Sequence, residues 1–478
     1  MTTPADGDQG GLEQVCSADR NPALTGLRAV AALTVVGTHA AFGTGALTRG
    51  YPGMMLARLD IGVAIFFVLS GLLLFGPWVR AVAAGTSGPS VRRYGRNRVR
   101  RIMPAYLITV VLAYLVYELR PIDPNPGHTW TGLIRNLTLT QIYGDYFAGY
   151  QHQGLTQMWS LAVEVAFYLL LPALAWVLLT VLCRGRWRPR VVLAGLGAVA
   201  AISPLWLIVL HTTGWLPAVA GMWLPHYLIW FAGGMALAVL QTMGVRCGWR
   251  VALPAAVAAF LIVSTPVAGS MSATAPNLGA DLIRTLLYAA IATLVVAPVA
   301  LGGPAAEGPY TRLLSSAPMV RLGEISYEIF LVHVIVMEIA LTAVLGWPVF
   351  TGSAAVLFAV TIVLSVPLAW VLHRLTRPAE PGPATGKIPC ATAREEGCAH
   401  AHSQRSDSGS CRDSCGGGLR SEGFRSARGL AALERSVRPH DRARCRRGHL
   451  VRPAGRQPDQ DHRCGPLLRR RLHDRRPL

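Results

Sequence analysis

Charged residues are scarce in this sequence. Asp, Glu, Lys and Arg together make up 15% of its 478 residues, while hydrophobic residues make up 52% and the mean hydropathy is +0.39. A soluble globular protein carries about 25% charged residues. Because apolar stretches recur from residue 24 to residue 373, the composition excludes a soluble enzyme, with or without a single membrane anchor.

Cysteine and lysine are also rare. The chain has nine cysteines, six of them after residue 389, which excludes a secreted domain held together by disulfides. Lys387 is the one lysine among 45 basic residues, an arginine bias typical of a GC-rich genome. The net charge of +20, in so apolar a chain, indicates cytoplasmic loops of a membrane protein, and no nucleic-acid partner is expected.

The apolar residues fall into ten stretches, each close to the ~20 residues that a helix needs to cross ~30 Å of hydrocarbon. They are continuous runs rather than segments of alternating hydropathy, so they predict helices. The sequence therefore predicts an all-α, polytopic membrane helix bundle embedded in the lipid bilayer. The predicted spans are 24–44, 61–79, 102–119, 157–182, 191–211, 224–241, 251–268, 281–302, 323–344 and 352–373.

Arginine placement predicts the orientation, because short loops rich in positive charge stay in the cytoplasm. Fifteen arginines lie in the loops on the side of 80–101 and 184–190, and five lie in the loops on the other side. Both termini are therefore predicted to be cytoplasmic. Residues 1–20 are polar and acidic, which predicts a cytoplasmic N-terminal segment without a signal peptide.

Residues 378–478 differ in character from the rest of the chain. They contain 21 basic and 11 acidic residues and no stretch with the period of a core-forming helix, which predicts a disordered basic tail. An out-of-frame translation of GC-rich DNA is the alternative interpretation. Five cysteines and histidines between 398 and 415 match no zinc-binding spacing, so no metal site is expected.

Ionisable residues inside the spans are candidates for function, because inserting each one costs ~2.5–3.5 kcal/mol. Arg28 and His39 are eleven residues apart, so they share one face of the first span, roughly 16 Å apart along its axis. Glu164 enters the fourth span at a depth similar to that of His39. A carboxylate beside an imidazole fixes its tautomer and raises its basicity, as a general base requires. The alternatives are that Arg28 reaches lipid headgroups and that Glu164 faces an outer vestibule.

Two further sets of residues carry charge near or inside the spans. In span nine, Glu324 and Glu328 lie near the cytoplasmic interface, whereas His333 is mid-span and belongs either to a site or to a helix–helix hydrogen bond. Arg98 and Arg101, at positions i and i+3, are predicted to clamp neighbouring phosphates. The alternative is that these arginines serve only to set the topology.

Five segments resemble, in the same order, the motifs of integral-membrane acyltransferase family 3, the O-acyltransferases of bacterial surface glycans and some secondary metabolites. The resemblance covers residues 24–373. Leu72 and Phe330 replace the family's usual Phe and Tyr, and Val165 stands where a second Glu is common. The segments are LTGLRAVAALTVVGTHAAF (24–42), IGVAIFFVLSGLLLF (61–75), RVRRIMPAY (98–106), MWSLAVEVAFYLLLP (158–172) and LGEISYEIFLVH (322–333).

The resemblance implies that residues 21–377 form a transmembrane acyltransferase domain in a bacterial cytoplasmic (inner) membrane. It implies transfer of an acyl group, acetyl before others, from cytoplasmic acyl-CoA to a hydroxyl of a sugar. The sugar belongs to a cell-envelope glycan, a glycolipid or a glycosylated metabolite. Acyl-CoA is then a co-substrate, and no tightly bound cofactor is expected.

The resemblance also implies roles for individual residues. The motif positions make His39 the catalytic base and Arg28 and Glu164 its essential partners. Arg98 and Arg101 then bind the CoA end of the donor. The remaining candidates from the same motifs, predicted to bind substrate, are Ser70, Tyr168 and His333.

Two mechanisms fit these residues: direct attack of the hydroxyl on the thioester, and an acyl-histidine intermediate. A proton-coupled secondary transporter that uses the same Arg, His and Glu set is the alternative from another class. The sequence has no internal repeat of the kind common in transporters, which favours the enzyme. An inactive scaffold is the third hypothesis, and it predicts that changing His39 has no phenotype.

Overall fold

A computed structural model describes residues 21–120, 125–143, 151–269, 277–302 and 308–377. Within these ranges every regular element is a helix, and nine helical segments are long and apolar enough to cross a membrane. The prediction of an all-helical, multi-pass membrane bundle is therefore confirmed. The segments 1–20 and 378–478, predicted to be polar and disordered respectively, lie outside the described residues.

The α-helices are numbered in chain order, and short 3₁₀ turns join several of them. Two helices continue as π-helical turns: Trp159–Ala175 continues over Trp176–Val181, and Ser326–Ile339 continues over Ala340–Val344. The helices are α1 Pro22–Gly43, α2 Gly50–Ala57, α3 Ile61–Ala83, α4 Val91–Leu119, α5 Trp130–Leu137, α6 Trp159–Ala175, α7 Pro189–Thr212, α8 Leu224–Thr242, α9 Trp249–Val263, α10 Leu278–Leu301, α11 Pro309–Leu314, α12 Ala317–Glu324, α13 Ser326–Ile339 and α14 Ala354–Thr376.

The seventh predicted span, 251–268, differs from the prediction. Its helix α9 has 15 residues, about 22 Å, and ends at Val263 before a 3₁₀ turn that begins at Pro266. The buried Arg58 guanidinium donates hydrogen bonds to the carbonyls of Val263, Ala268 and Gly269, at 3.0, 2.9 and 2.6 Å. The Val263 carbonyl is one that the end of α9 leaves free, and the other two belong to the turn that follows. The described residues thus contain nine helical segments long enough to span and one shorter apolar helix.

The two ends of the bundle differ in charge. The arginine end is where α4 begins, and it carries the loops 84–90, 182–188 and 243–248. The loop end is where α4 stops, and it carries α5 and the 3₁₀ segment Gln153–Met158. Because α4 has 29 residues, about 43 Å, it exceeds the ~30 Å hydrocarbon core, and its arginine-rich first turns extend beyond that core.

Helices α3 and α8 pack tightly through small residues. A Cβ at Gly71 would lie 2.2 Å from the Phe231 carbonyl oxygen, and one at Gly234 would lie 1.8 Å from that of Val68. Only glycine permits so close an approach of two backbones in a membrane bundle. This packing fixes the face of α3 that carries Ser70.

Helices α11 and α12 pack against the start of α1. A Cβ at Gly26 would lie 1.9 Å from the carbonyl oxygen of Leu314, and one at Gly323 would lie 1.9 Å from that of Thr25. Asn21 caps α1, because its side chain accepts a hydrogen bond from the backbone N–H of Ala23. The first turn of α1 is thereby fixed at the arginine end, just before Arg28.

Candidate active site

Two imidazole rings meet in the interior of the bundle. His39 of α1 and His333 of α13 have ring centroids 5.0 Å apart in an edge-to-face arrangement, and His333 Nε2 lies 3.4 Å from His39 Nδ1. His333 is fully buried, whereas His39 is only partly buried. The predicted mid-span His333 therefore makes a helix–helix contact and does so with the candidate base itself.

Backbone carbonyls fix the tautomer of both rings. His39 Nδ1 lies 2.8 Å from the carbonyl oxygen of Val35, and His333 Nδ1 lies 2.8 Å from that of Phe330. A carbonyl oxygen only accepts, so each Nδ1 carries the hydrogen of the neutral ring. His39 Nε2 then holds the lone pair, and it has no hydrogen-bond partner within the described residues. This geometry leaves His39 with an open basic nitrogen, as a general base requires.

The 3₁₀ segment Gln153–Met158 packs along α13 beside His333. Gln157 donates a hydrogen bond from Nε2 to the carbonyl of Leu331 at 3.0 Å. A Cβ at Gly154 would lie 3.3 Å from the Ile335 side chain. The segment, which itself belongs to the loop end, thus contacts α13 both before and after His333.

Glu164 is in a different place from the one predicted. Its Oε1 accepts hydrogen bonds from Ser70 Oγ at 2.5 Å and from the Tyr168 hydroxyl at 2.6 Å. No hydrogen bond joins Glu164 to His39 in the described part of the chain. The predicted orientation of His39 by Glu164 is therefore wrong, and Val35 and His333 hold the ring instead.

Glu164, with Ser70 and Tyr168, lies near the arginines rather than near the histidine pair. Arg28 lies within electrostatic reach of Glu164, Tyr168, Arg98 and Arg101. Each full turn of a helix rises ~5.4 Å, and Arg28 precedes His39 by three turns, so the cluster lies well toward the arginine end. The site therefore has two parts: the histidine pair, and an arginine cluster of Arg28, Arg98 and Arg101 with Glu164, Ser70 and Tyr168.

Within the arginine cluster, Arg98 has an unsatisfied donor. Its Nε is buried and has no hydrogen-bond partner among the described residues. Arg98 and Arg28 are partly buried, whereas Arg101 is exposed. A buried guanidinium nitrogen without an acceptor is the arrangement that an anionic group, such as a phosphate, would complete.

A contact that the sequence did not indicate ties this cluster together. The Tyr94 hydroxyl donates a hydrogen bond to the backbone carbonyl of Tyr168 at 3.2 Å, so the start of α4 is joined to α6. The Tyr94 ring also packs edge-to-face on Trp78 of α3, with centroids 5.1 Å apart. The one indication of this contact in the sequence is that Tyr94 lies four residues before Arg98, the first arginine of the motif.

The other ionisable residues of span nine lie outside the site. Glu328, expected near the interface, is buried and pairs with His373 of α14, whose Nδ1 is 3.1 Å from the Glu328 Oε1. Glu324 ends α12, and Glu338 lies near the loop end of α13. The described residues contain no group of three or more His, Cys, Asp or Glu side chains arranged to hold a metal ion.

Comparison with known proteins defines the class. A family model described as an acyltransferase domain matches residues 21–374. The chain therefore belongs to integral-membrane acyltransferase family 3, as the sequence motifs predicted, and it is an acyltransferase.

Several curated proteins are similar in sequence. The acyltransferase MdmB of Streptomyces mycarofaciens is 29% identical over 340 residues, which cover 67% of this chain and 79% of the relative. The O-acetyltransferase OatA of Staphylococcus aureus (strain NCTC 8325 / PS 47) is 29% identical over 205 residues, 42% of this chain and 31% of the relative. The peptidoglycan O-acetyltransferase OatA of Listeria monocytogenes is 28% identical over 211 residues, 40% and 29% respectively. The chain thus spans under a third of these OatA proteins, and no solved structure matches it significantly.

Proposed function

We propose that the chain is a membrane O-acyltransferase that moves an acetyl or related acyl group from acyl-CoA to a sugar hydroxyl. The observation that carries the proposal is the His39–His333 pair, which leaves one basic nitrogen open between the arginine cluster and the loop end. Two relatives bear the names O-acetyltransferase and peptidoglycan O-acetyltransferase, which supports an acetyl group and a carbohydrate acceptor.

The transfer needs one base and a positioned thioester. His39 Nε2 takes the proton of the acceptor hydroxyl while the hydroxyl oxygen attacks the thioester carbonyl carbon. A C–O bond forms, the C–S bond breaks, and the proton passes from His39 to the departing sulfur, so that CoA leaves as the thiol. Positioning of the two substrates contributes the remainder of the rate enhancement.

The arginine cluster suits the donor. CoA carries its phosphates at the end far from the thioester, and the unsatisfied Arg98 Nε matches a phosphate oxygen. Ser70 and Tyr168 both donate their hydroxyl hydrogens to Glu164, so they offer only lone pairs to a substrate. Those lone pairs suit the amide N–H groups of the pantetheine arm. Glu164 acts here by holding Ser70 and Tyr168, and Arg28 balances its charge.

The orientation of the chain follows from the assignment of CoA to the arginine cluster. Acyl-CoA is a cytoplasmic metabolite, so the arginine end faces the cytoplasm and both termini lie there. The distribution of arginines between the loops supports this orientation. In a bacterium the membrane concerned is the cytoplasmic one.

The transporter alternative uses the same polar residues but predicts no acyl transfer. Membership of the acyltransferase family favours the enzyme. The His39 tautomer favours it as well, because the open nitrogen is prepared to accept a proton from a bound hydroxyl.

The test uses membranes that contain the full chain or its His39→Ala variant at matched expression. Acetyl-CoA labelled on the acetyl group is added, and label is counted in lipid, glycan and small-molecule fractions. The control is His211→Gln, which changes an imidazole held by Asp281 away from the site. We expect label in one fraction for the wild type and the control, and none for His39→Ala.

Other outcomes would distinguish the enzyme from its alternatives and direct transfer from a covalent intermediate. Equal labelling by His39→Ala would remove the base role of His39, and absence of labelling with every acyl-CoA would contradict the enzyme. Label that stays on the protein when acceptor is withheld would replace direct transfer by an acyl-histidine intermediate.

A further inference from the structure

A cavity opens at the loop end, apart from the histidine pair and the arginine cluster. Its volume is about 280 Å³, near the lower end of ligand-binding pockets. It lies between α5 and the start of the 3₁₀ segment Gln153–Met158. Its lining includes Thr129, Thr131, Asn136, Gln141, His152 and Leu155.

Two side chains that line this cavity have buried acceptor atoms without a donor. Gln141 donates from Nε2 to the Met158 carbonyl at 3.2 Å, and its Oε1 has no partner among the described residues. His152 Nδ1 also has no partner there. Gln141 is 9% exposed and His152 is 1% exposed, so water does not readily satisfy these atoms. A buried acceptor left unsatisfied is destabilising, and a ligand that brings donors would remove that cost.

The tautomer of His152 is set by its neighbours. Glu118 Oε2 lies 3.0 Å from His128 Nε2, and His128 Nδ1 lies 3.1 Å from His152 Nε2. A carboxylate only accepts, so in neutral rings the hydrogen of His128 is on Nε2 and that of His152 is on Nε2 as well. His152 Nδ1 then carries a lone pair. Burial, and secondly the neighbouring His128, lower the pKa of His152 to about 3, so the ring is uncharged at neutral pH.

The polar lining continues from the cavity toward the histidine pair. Gln157 lies five residues after His152, and its Oε1 is a third buried acceptor without a partner within the described residues. Its Nε2 is bound to the Leu331 carbonyl, two residues before His333. Two of the three unsatisfied acceptors, on His152 and Gln157, therefore lie along the short segment that packs beside His333. The third is on Gln141, which binds the last residue of that segment, Met158.

We propose that this cavity binds the sugar of the acyl acceptor, with Gln141 Oε1 and His152 Nδ1 receiving hydrogen bonds from its hydroxyls. The proposal rests on the proposed function and assigns the acceptor to the end of the bundle opposite the donor. Within the described residues the unsatisfied atoms of Gln141, His152 and Gln157 are all acceptors, which suits a ligand that brings donors, and a sugar ring brings several. Gln157 then guides the reacting hydroxyl toward His39.

The experiment measures sugar binding and acyl transfer separately. The full chain is purified in detergent, and its thermal stability is followed against methyl hexopyranosides and N-acetylglucosamine oligomers, which serve as the probes. Transfer from labelled acetyl-CoA to the same probes is measured in parallel. The variants are Gln141→Leu, His152→Phe and His152→Asn, the last of which keeps an amide oxygen near the position of Nδ1.

Gln241→Leu is the matched control. Gln241 also donates from Nε2 to a backbone carbonyl, that of Ala300 at 3.1 Å, but it lies at the arginine end. We expect the probes to stabilise the wild type and Gln241→Leu. We expect Gln141→Leu and His152→Phe each to weaken binding about tenfold, with an equal rise in acceptor KM and an unchanged acyl-CoA KM. His152→Asn should recover part of the loss.

The two proposals fail in different ways. Transfer to a probe that is unaffected by Gln141→Leu and His152→Phe would overturn the cavity assignment and leave the enzyme intact. Probe binding that depends on both residues without any transfer would support the cavity and contradict the proposed reaction. Absence of both binding and transfer with every probe would overturn both.

Discussion

The two polar regions inside this bundle are built from different chemistry. The arginine cluster combines three guanidinium groups with one carboxylate, and Glu164 joins it through two hydroxyl donors. Among the described residues the histidine pair has no charged hydrogen-bond partner, and backbone carbonyls set its tautomers. The first region suits binding of an anion, whereas the second suits movement of a proton. The function proposed above therefore assigns donor binding and proton transfer to two different levels along α1.

Changing His39 should have the largest effect. His39→Gln removes the open basic nitrogen, and general-base catalysis is typically worth about 10²–10⁴-fold, so we expect kcat to fall by about 10³ with the acyl-CoA KM within twofold. Initial rates at varied acyl-CoA concentration check this expectation. A rise in acyl-CoA KM with little change in kcat would place His39 in donor binding and contradict its role as the base.

Changing Arg98 should affect binding rather than chemistry. Arg98→Ala removes a charged hydrogen-bond donor, and we expect acyl-CoA KM to rise about 10–100-fold while kcat changes little. Arg92→Ala is the matched control, because Arg92 is an exposed arginine on the same helix. Equal effects of the two variants would mean that α4 contributes only general positive charge.

Changing His333 should have a moderate effect on kcat alone. His333→Phe removes the acceptor near His39 Nδ1, so the His39 ring is held only by Val35, and we expect a loss of about tenfold. His333→Gln keeps a side-chain carbonyl and should recover part of the rate. If His333→Gln and His333→Phe lose the same activity, the contact serves packing rather than orientation of the base.

Changing Glu328 should have the smallest kinetic effect. Its carboxylate pairs with His373 at 3.1 Å, and within the described residues no hydrogen bond joins it to either polar region of the site. Glu328→Gln weakens this buried pair, so we expect a lower melting temperature in detergent but kcat and KM within twofold of the wild type. A large kinetic effect would extend the functional region into α14.

Much of the fold follows from composition and periodicity. Long apolar runs predict spanning helices because an unpaired backbone is too costly in lipid. The shortened α9 was missed, since its end depends on Arg58, which lies some 200 residues earlier and supplies the hydrogen bonds that complete it. A single sequence contains no signal for that contact.

The residues of the site could be predicted from the sequence, but their pairing could not. Helical spacing places Arg28 and His39 on one face of α1, and the motifs identify Glu164 and His333 as candidates. The pairing was wrong because depth was counted from the ends of spans. In the structure the 3₁₀ segment Gln153–Met158 precedes α6 and lies beside His333, so Glu164 is carried further toward the arginine end. Which side chains of two helices meet depends on how far the helices are shifted relative to each other along the membrane normal. Hydropathy does not encode that shift.

The most direct test of this separation is a double-mutant cycle on kcat/KM for acyl-CoA, using Arg98→Lys, His333→Gln and the double variant. These mild changes keep activity measurable. Separate regions predict that the two losses multiply, to within about twofold. A double variant that loses little more than the worse single variant would show that the arginine cluster and the histidine pair act as one unit, and it would contradict the account.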